Sequence, residues 1–182
     1  MTVNYIEAPH HETQDGAWPA IFLAGGITGC TDWQAEAVAL LENADIDTVV
    51  FNPRRVFFDV TDTTAEVRQV AWEANALLLA TVVLFWFDPA GMQPIAHQEL
   101  GAALERCRGG HHHVVVGADP AYPRYANLRQ QLTNAHSLGR QTQPLMLHNT
   151  LAATVAAAVE AARTEHSYIA DLHDHTPKKG SP

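Results

Sequence analysis

The chain has 182 residues, 47% of them hydrophobic and 17% charged, which is enough for one core and too few for two comfortable domains. Lys and Arg number 11 against 20 Asp and Glu, and the formal net charge of -9 works against a non-specific grip on DNA, RNA or an anionic membrane. Two cysteines, Cys30 and Cys107, are too few for a disulfide scaffold and lack zinc-site spacing, which fits a reducing, cytoplasmic setting.

Residues 1–19 are mostly polar and show no sustained period, so they are expected to form an arm, with order beginning near Ala20. The run from Ile21 to Ala24, ended by Gly25-Gly26, suits a buried strand entering a tight loop. Thr31 or Asp32 is placed to cap a helix reaching Leu41. Thr48 to Phe51 is a second strand, stopped by Asn52-Pro53 because proline removes a ladder donor. From about Thr64 to Leu79, Val67, Val70, Ala71, Ala74 and Leu78 recur at helical spacing. Thr81 to Phe87 is apolar without alternation, the pattern of a central parallel strand buried on both faces. Ala76 to Phe87, the most apolar stretch, is closed by Asp88-Pro89 and falls short of a membrane span, so a soluble protein is expected.

Pro94 opens a helix to about Arg106. His113 to Val116 is a fourth strand, Asn127 to about Ala135 a helix and Pro144 to Leu147 a fifth strand. Leu151 to about Arg163 closes the domain as an Ala-rich packing helix. The expectation is an α/β, flavodoxin-like three-layer sandwich with a five-stranded parallel sheet, an arm over 1–19, a folded domain over 20–164 and a tail over 165–182. Ligands of such sheets sit beyond the carboxyl ends of the strands, where the strand order reverses. That rule selects Gly25 to Asp32, Asn52 to Val56, Asp88 to Glu99 and Gly117 to Asn127.

Within those loops, Gly25 and Gly26 suit either close approach to a ligand or a tight turn, without a GxGxxG or Walker pattern. Cys30 invites a thiol-nucleophile reading, with nothing in sequence to pair it with a base. Arg54 and Arg55, beside Asn52, offer two guanidiniums to an anion, or a solvated basic turn. Trp86, near a strand end, is core or a surface on which a base stacks. Glu99 falls about one turn inside its helix, where the positive end favours the ionised form that a carboxylate nucleophile needs. His97 lies roughly opposite Glu99 on that helix. His111 to His113 alternate in direction at a strand entry and do not converge readily on a metal, so no metal and no cofactor are expected.

FLAGGI at Phe22 to Ile27 (with the initial F as Phe22), DW at Asp32-Trp33, FNPRR at Phe51 to Arg55, WE at Trp72-Glu73, LFWF at Leu84 to Phe87, PI at Pro94-Ile95 and ELG at Glu99 to Gly101 occur in that order. With VGADPAYPRYANL at Val116 to Leu128, the arrangement resembles the nucleoside 2-deoxyribosyltransferase family over residues 20 to about 135, most of all its divergent branch carrying NPRR and FWF. The resemblance implies that Glu99 attacks the anomeric carbon of a nucleoside, leaving a glycosyl-enzyme ester that a second free nucleobase resolves. Asp88 and Glu73 are, by order, the nearest analogues of the family's acidic residues near the base. Gln93 stands where well-known members carry an acid, and Phe22 where they carry a tyrosine that positions the nucleophile. Asn127 matches an asparagine supplied by a neighbouring subunit, which implies a homo-oligomer. Arg54 and Arg55 resemble arginines with which related nucleotide N-glycosidases hold a 5'-phosphate. Hydrolysis of a nucleoside 5'-monophosphate, and a non-catalytic nucleotide sensor, therefore stand beside nucleoside cleavage or exchange.

Overall fold

The structure is a computed structural model and describes residues 2–10, 19–56, 61–107, 112–137 and 145–174. Four apolar runs form the middle of the sheet: β2 (Ala20–Gly25), β3 (Thr48–Asn52), β4 (Val82–Phe87) and β5 (His113–Ala118). They are bordered by β1 (Val3–Glu7) and β6 (Leu147–His148), giving an all-parallel sheet of order β1-β3-β2-β4-β5-β6. Among the described residues the sheet thus has six strands rather than five. The additional strand lies in the stretch expected to be an arm, and its Ile6 pairs with Phe51 in register and is buried.

Five helices cover both faces: α1 (Trp33–Glu42), α2 (Ala65–Leu79), α3 (Pro94–Arg106), α4 (Tyr125–Ser137) and α5 (Leu151–Asp174). This is the flavodoxin-like three-layer arrangement, because each parallel crossover puts its helix on a face of the sheet. Alternation along β4 separates two cores. Val83, Phe85 and Phe87 pack with Trp72 of α2, Leu100 of α3 and Leu128 and Leu132 of α4. Val82, Leu84 and Trp86 point the other way, among Trp33 and Leu41 of α1 and Val155 and Val159 of α5. Each fully buried side chain of this size contributes about 1.5–3 kcal/mol.

Helix α2 turns a different side inward from the one along which those apolar residues recur. Ala65, Trp72, Ala76 and Leu77 are buried, whereas Val67, Val70 and Leu78 are 69%, 59% and 63% exposed. Helix α5 runs to Asp174, past the end expected near Arg163. Pro144, the expected start of the fifth strand, lies outside the described residues, and the pairing there is confined to Leu147 and His148. No helix among the described residues is long and apolar enough to cross a membrane.

Candidate active site

The chain crosses from one half of the sheet to the other between β2 and β4, which are hydrogen-bonded neighbours with Gly25 opposite Trp86. Loops leaving the carboxyl ends of such a pair diverge and leave a crevice. A cleft of about 510 Å3 opens there, floored by Phe22, Gly25 and Gly26 and walled by α2 and the start of α3. Its volume lies in the range of small-molecule sites. Of the residues selected from sequence, Phe22, Gly25, Gly26, Glu73, Gln93 and Glu99 meet in it.

The floor is shaped by close packing. A Cβ at Gly25 would lie 2.7 Å from the Trp33 ring, and one at Gly26 would lie 2.7 Å from the side-chain amide carbon of Gln93, so side chains are excluded at both. Trp33 Nε1 donates to the Gly26 carbonyl at 2.9 Å, and Gly26 N–H donates to Gln93 Oε1 at 2.9 Å. Gln93 Nε2 donates in turn to the Asp88 carbonyl at 2.6 Å. Gln93 is left-handed, with φ 47°, at the cap position just before Pro94. Its amide therefore spends both an acceptor and a donor on latching β2's loop to β4's. A carboxylate at this position could serve only the first of those bonds.

Two glutamates carry the polar chemistry. Glu99 extends from the second turn of α3 beside the buried Ala96–Leu100–Ala103 stripe, and Glu73 extends from α2 next to buried Trp72. Burial pushes the Glu99 carboxyl up to about 7, the charge of Glu73 adds to the rise and the Arg106 guanidinium opposes it. The expectation that the helix start favours ionised Glu99 is thus corrected, since burial and the facing carboxylate outweigh it. Burial raises Glu73 as well, against a hydrogen bond from Gln69 and the Arg55 guanidinium, which lower it. Two interacting carboxyls in one cleft titrate as a pair, and the pair readily holds a single proton.

Other candidates lie elsewhere. Asp88 is 2% exposed and outside the cleft lining, where its Oδ2 accepts the Thr31 hydroxyl at 2.5 Å and its Oδ1 accepts Ala90 N–H at 2.8 Å. Arg54 clamps the loop between β2 and α1: Nη2 donates to the Thr31 and Ile27 carbonyls at 2.8 and 3.1 Å, and Nε donates to Gln34 Oε1 at 2.9 Å. Arg54, Arg55 and Asn52 line a separate hollow against Tyr5 and α1, and Asn52 Nδ2 donates to the Tyr5 hydroxyl at 2.7 Å. Trp86 sits in the core on the opposite face of the sheet, so it offers no stacking surface to the cleft. Asn127 lines a groove between α3 and α4 with His97 and Gly101, outside its own chain's cleft.

His97 Nε2 lies 2.8 Å from the Tyr122 hydroxyl, which donates to the Met92 carbonyl at 2.9 Å, so the histidine braces the loop before α3 from the side away from Glu99. Cys30 lines the cleft, but burial and the Asp88 carboxylate raise its thiol, which keeps it protonated and a poor nucleophile. Gln69, not selected from sequence, also lines the cleft and donates to Glu73 Oε1 at 2.7 Å. Its only sequence signal is the i,i+4 spacing to Glu73 on α2.

A half-buried carboxylate pair at the switch point of a parallel α/β sheet marks a small-molecule cleft equipped for acid–base or covalent carboxylate chemistry. A family model described as nucleoside 2-deoxyribosyltransferase like matches residues 18–120, more than half of the chain. The chain belongs to that nucleoside 2-deoxyribosyltransferase-like family. The matched residues run from the approach to β2 to just past β5, taking in every cleft-lining residue but not Asn127. No curated protein matches the chain.

Proposed function

We propose that this protein cleaves or exchanges the N-glycosidic bond of a (deoxy)nucleoside by two successive displacements, with Glu99 as nucleophile and Glu73 as proton donor. The observation that carries this reading is the pairing of Glu99 and Glu73 in one cleft at the sheet's switch point. In the first step a Glu99 carboxylate oxygen bonds to the anomeric carbon as the bond to the base nitrogen breaks. The electron pair leaves with the base, which takes the proton from Glu73. In the second step a nitrogen of an incoming base attacks the same carbon, the Glu99 ester oxygen departs, and Glu73 recovers a proton. Water in place of the second base gives hydrolysis. The productive arrangement needs Glu99 ionised and the proton of the pair on Glu73, although burial lifts Glu99 the further of the two, so it is the minor arrangement of the singly protonated pair.

The cleft lining favours an uncharged nucleoside over a 5'-monophosphate. Among the described residues it holds Glu66, Glu73 and Glu99 and no lysine, arginine or histidine, while Arg54 donates to loop carbonyls. A phosphate there would face three carboxylates, with Arg55, which acts on Glu73 from outside the lining, as the nearby cation. Asn127 is proposed to serve the cleft of a neighbouring copy, since it lies outside the cleft of its own chain.

Incubation with deoxynucleosides, ribonucleosides and their monophosphates, with and without a second free base, followed by chromatography, tests the assignment. A new nucleoside signals transfer and free base plus sugar signals hydrolysis. Tight binding without turnover identifies a sensor instead. Full activity in Glu99→Ala overturns the mechanism.

A further inference from the structure

Gln69 occupies a place on α2 that the two-glutamate mechanism leaves unused. It lies one helical turn before Glu73, on the side facing the cleft, so the two side chains run alongside each other. One amide hydrogen of Nε2 goes to Glu73 Oε1 at 2.7 Å and the other to the Pro53 carbonyl, just past β3, at 2.8 Å. The amide orientation is fixed by chemistry, because the Pro53 carbonyl can only accept. Its Oε1 is buried and makes no hydrogen bond. The carboxylate of Glu73 is thereby tied to the end of β3 through a rigid two-bond bridge, instead of swinging on its own three torsions.

We infer that Gln69 is a positioning residue for Glu73, fixing the carboxylate against the cleft wall by a hydrogen bond whose other end is anchored on the backbone at Pro53. The inference rests on the proposed role of Glu73. It adds which group aims the proton donor and sets its affinity for the proton. Burial raises the Glu73 carboxyl, and the Gln69 bond is the first influence acting against that rise, ahead of the Arg55 guanidinium. Glu99 faces Glu73 from α3, and Glu66 lines the same cleft one turn before Gln69. Loss of the Gln69 donor therefore leaves Arg55 as the opposing influence and moves Glu73 to higher pH.

The test uses the full chain labelled with 13C at glutamate carboxyls, with the Glu73 signal assigned through Glu73→Gln, and follows its titration without any ligand. Gln69→Met keeps side-chain bulk and removes the donor, and the Glu73 midpoint is expected to rise. Gln69→Lys supplies a donor with a positive charge, and the midpoint is expected to fall below that of the unsubstituted chain. The same variants are assayed with 2'-deoxyadenosine and free cytosine across pH. Gln69→Met is expected to move the limb of the pH–rate profile that reports Glu73 to higher pH. It is also expected to lower kcat about tenfold to a hundredfold at little change in KM, the effect of losing a hydrogen bond to a charged group. A Glu73 midpoint indifferent to both substitutions overturns the inference. A midpoint that moves while the pH–rate profile stays fixed upholds the Gln69 contact and overturns the role given to Glu73.

Discussion

Glu73→Gln separates the two tasks given to the glutamate pair. The substitution keeps the shape of the side chain and removes the negative charge that helps to raise Glu99, whose carboxyl stands at about 7 against an ordinary 4.5. At pH 6 a group titrating at 7 is ionised in only about one molecule in ten, so complete relief of the shift would raise the ionised fraction about tenfold. Burial is the larger cause and persists in the variant, so a gain of about two- to fivefold at pH 6 is expected. Proton donation must be made irrelevant if this gain is to appear as a rate. A deoxyribosylpyridinium donor releases a neutral pyridine that takes no proton, and stopped-flow measurement of that release reports the attack by Glu99 alone. With that donor the acidic limb of the pH–rate profile shifts to lower pH in Glu73→Gln, and the plateau rate is retained. With an ordinary nucleoside the same variant loses about 10²- to 10⁴-fold, the usual contribution of general acid catalysis. An acidic limb that stays put or moves to higher pH refutes the electrostatic coupling of the pair. Equal losses with both donors refute the assignment of Glu73 as acid.

Three further outcomes follow from the same geometry. Glu99→Gln abolishes activity yet stabilises the fold. Because the folded-state carboxyl titrates above its unfolded value, the native state binds more protons between about pH 4.5 and pH 7 and loses stability as pH rises through that window, so the variant gains about 1–3 kcal/mol by urea unfolding at pH 8 and nothing at pH 4. Arg54→Ala unclamps the Ile27 and Thr31 carbonyls and costs about 2–4 kcal/mol in the same assay, and Lys at this position recovers little because it lacks the planar fork. An Arg54→Ala protein with unchanged stability and a KM raised for monophosphates alone would instead restore the phosphate role. Gln93→Glu sets a carboxylate against the Asp88 carbonyl and destabilises by about 1–3 kcal/mol without raising activity, as thermal melting and turnover together check.

The central strands were legible because β2 to β5 are apolar runs punctuated by Gly, Pro or Asn, the pattern of strands buried on both faces. β1 was not, since an edge strand has one neighbour to pair with and VNYIE buries a single side chain, Ile6, leaving a sequence that reads as polar. In α2 the apolar residues lie on two sides of the helix, and periodicity gives an axis without saying which side meets the sheet; Trp72, one residue, decides it. The catalytic candidates Glu99 and Glu73 were visible through motif order, as were Phe22 and the glycine pair. Arg54 was ambiguous for a physical reason: an arginine after a strand can meet a ligand or a carbonyl with the same donors, and the return of the loop at Ile27 to Thr31 alongside it, which supplies the carbonyls, is not written in the local sequence. Gln69 was invisible because an amide four residues before a glutamate is common on any helix surface.

The most direct measurement is the mass of the protein itself during turnover. The full chain is mixed with a 2'-deoxy-2'-fluoro nucleoside, whose electron-withdrawing substituent slows formation and release of a glycosyl ester, and the quenched sample is digested and sequenced by mass spectrometry. If Glu99 is the nucleophile, one fluoropentosyl group is found on the peptide containing it and fragments onto that residue, and a second free base discharges it as a new nucleoside. Base released with no adduct at Glu99, or an adduct on Glu73 or Cys30, contradicts the mechanism.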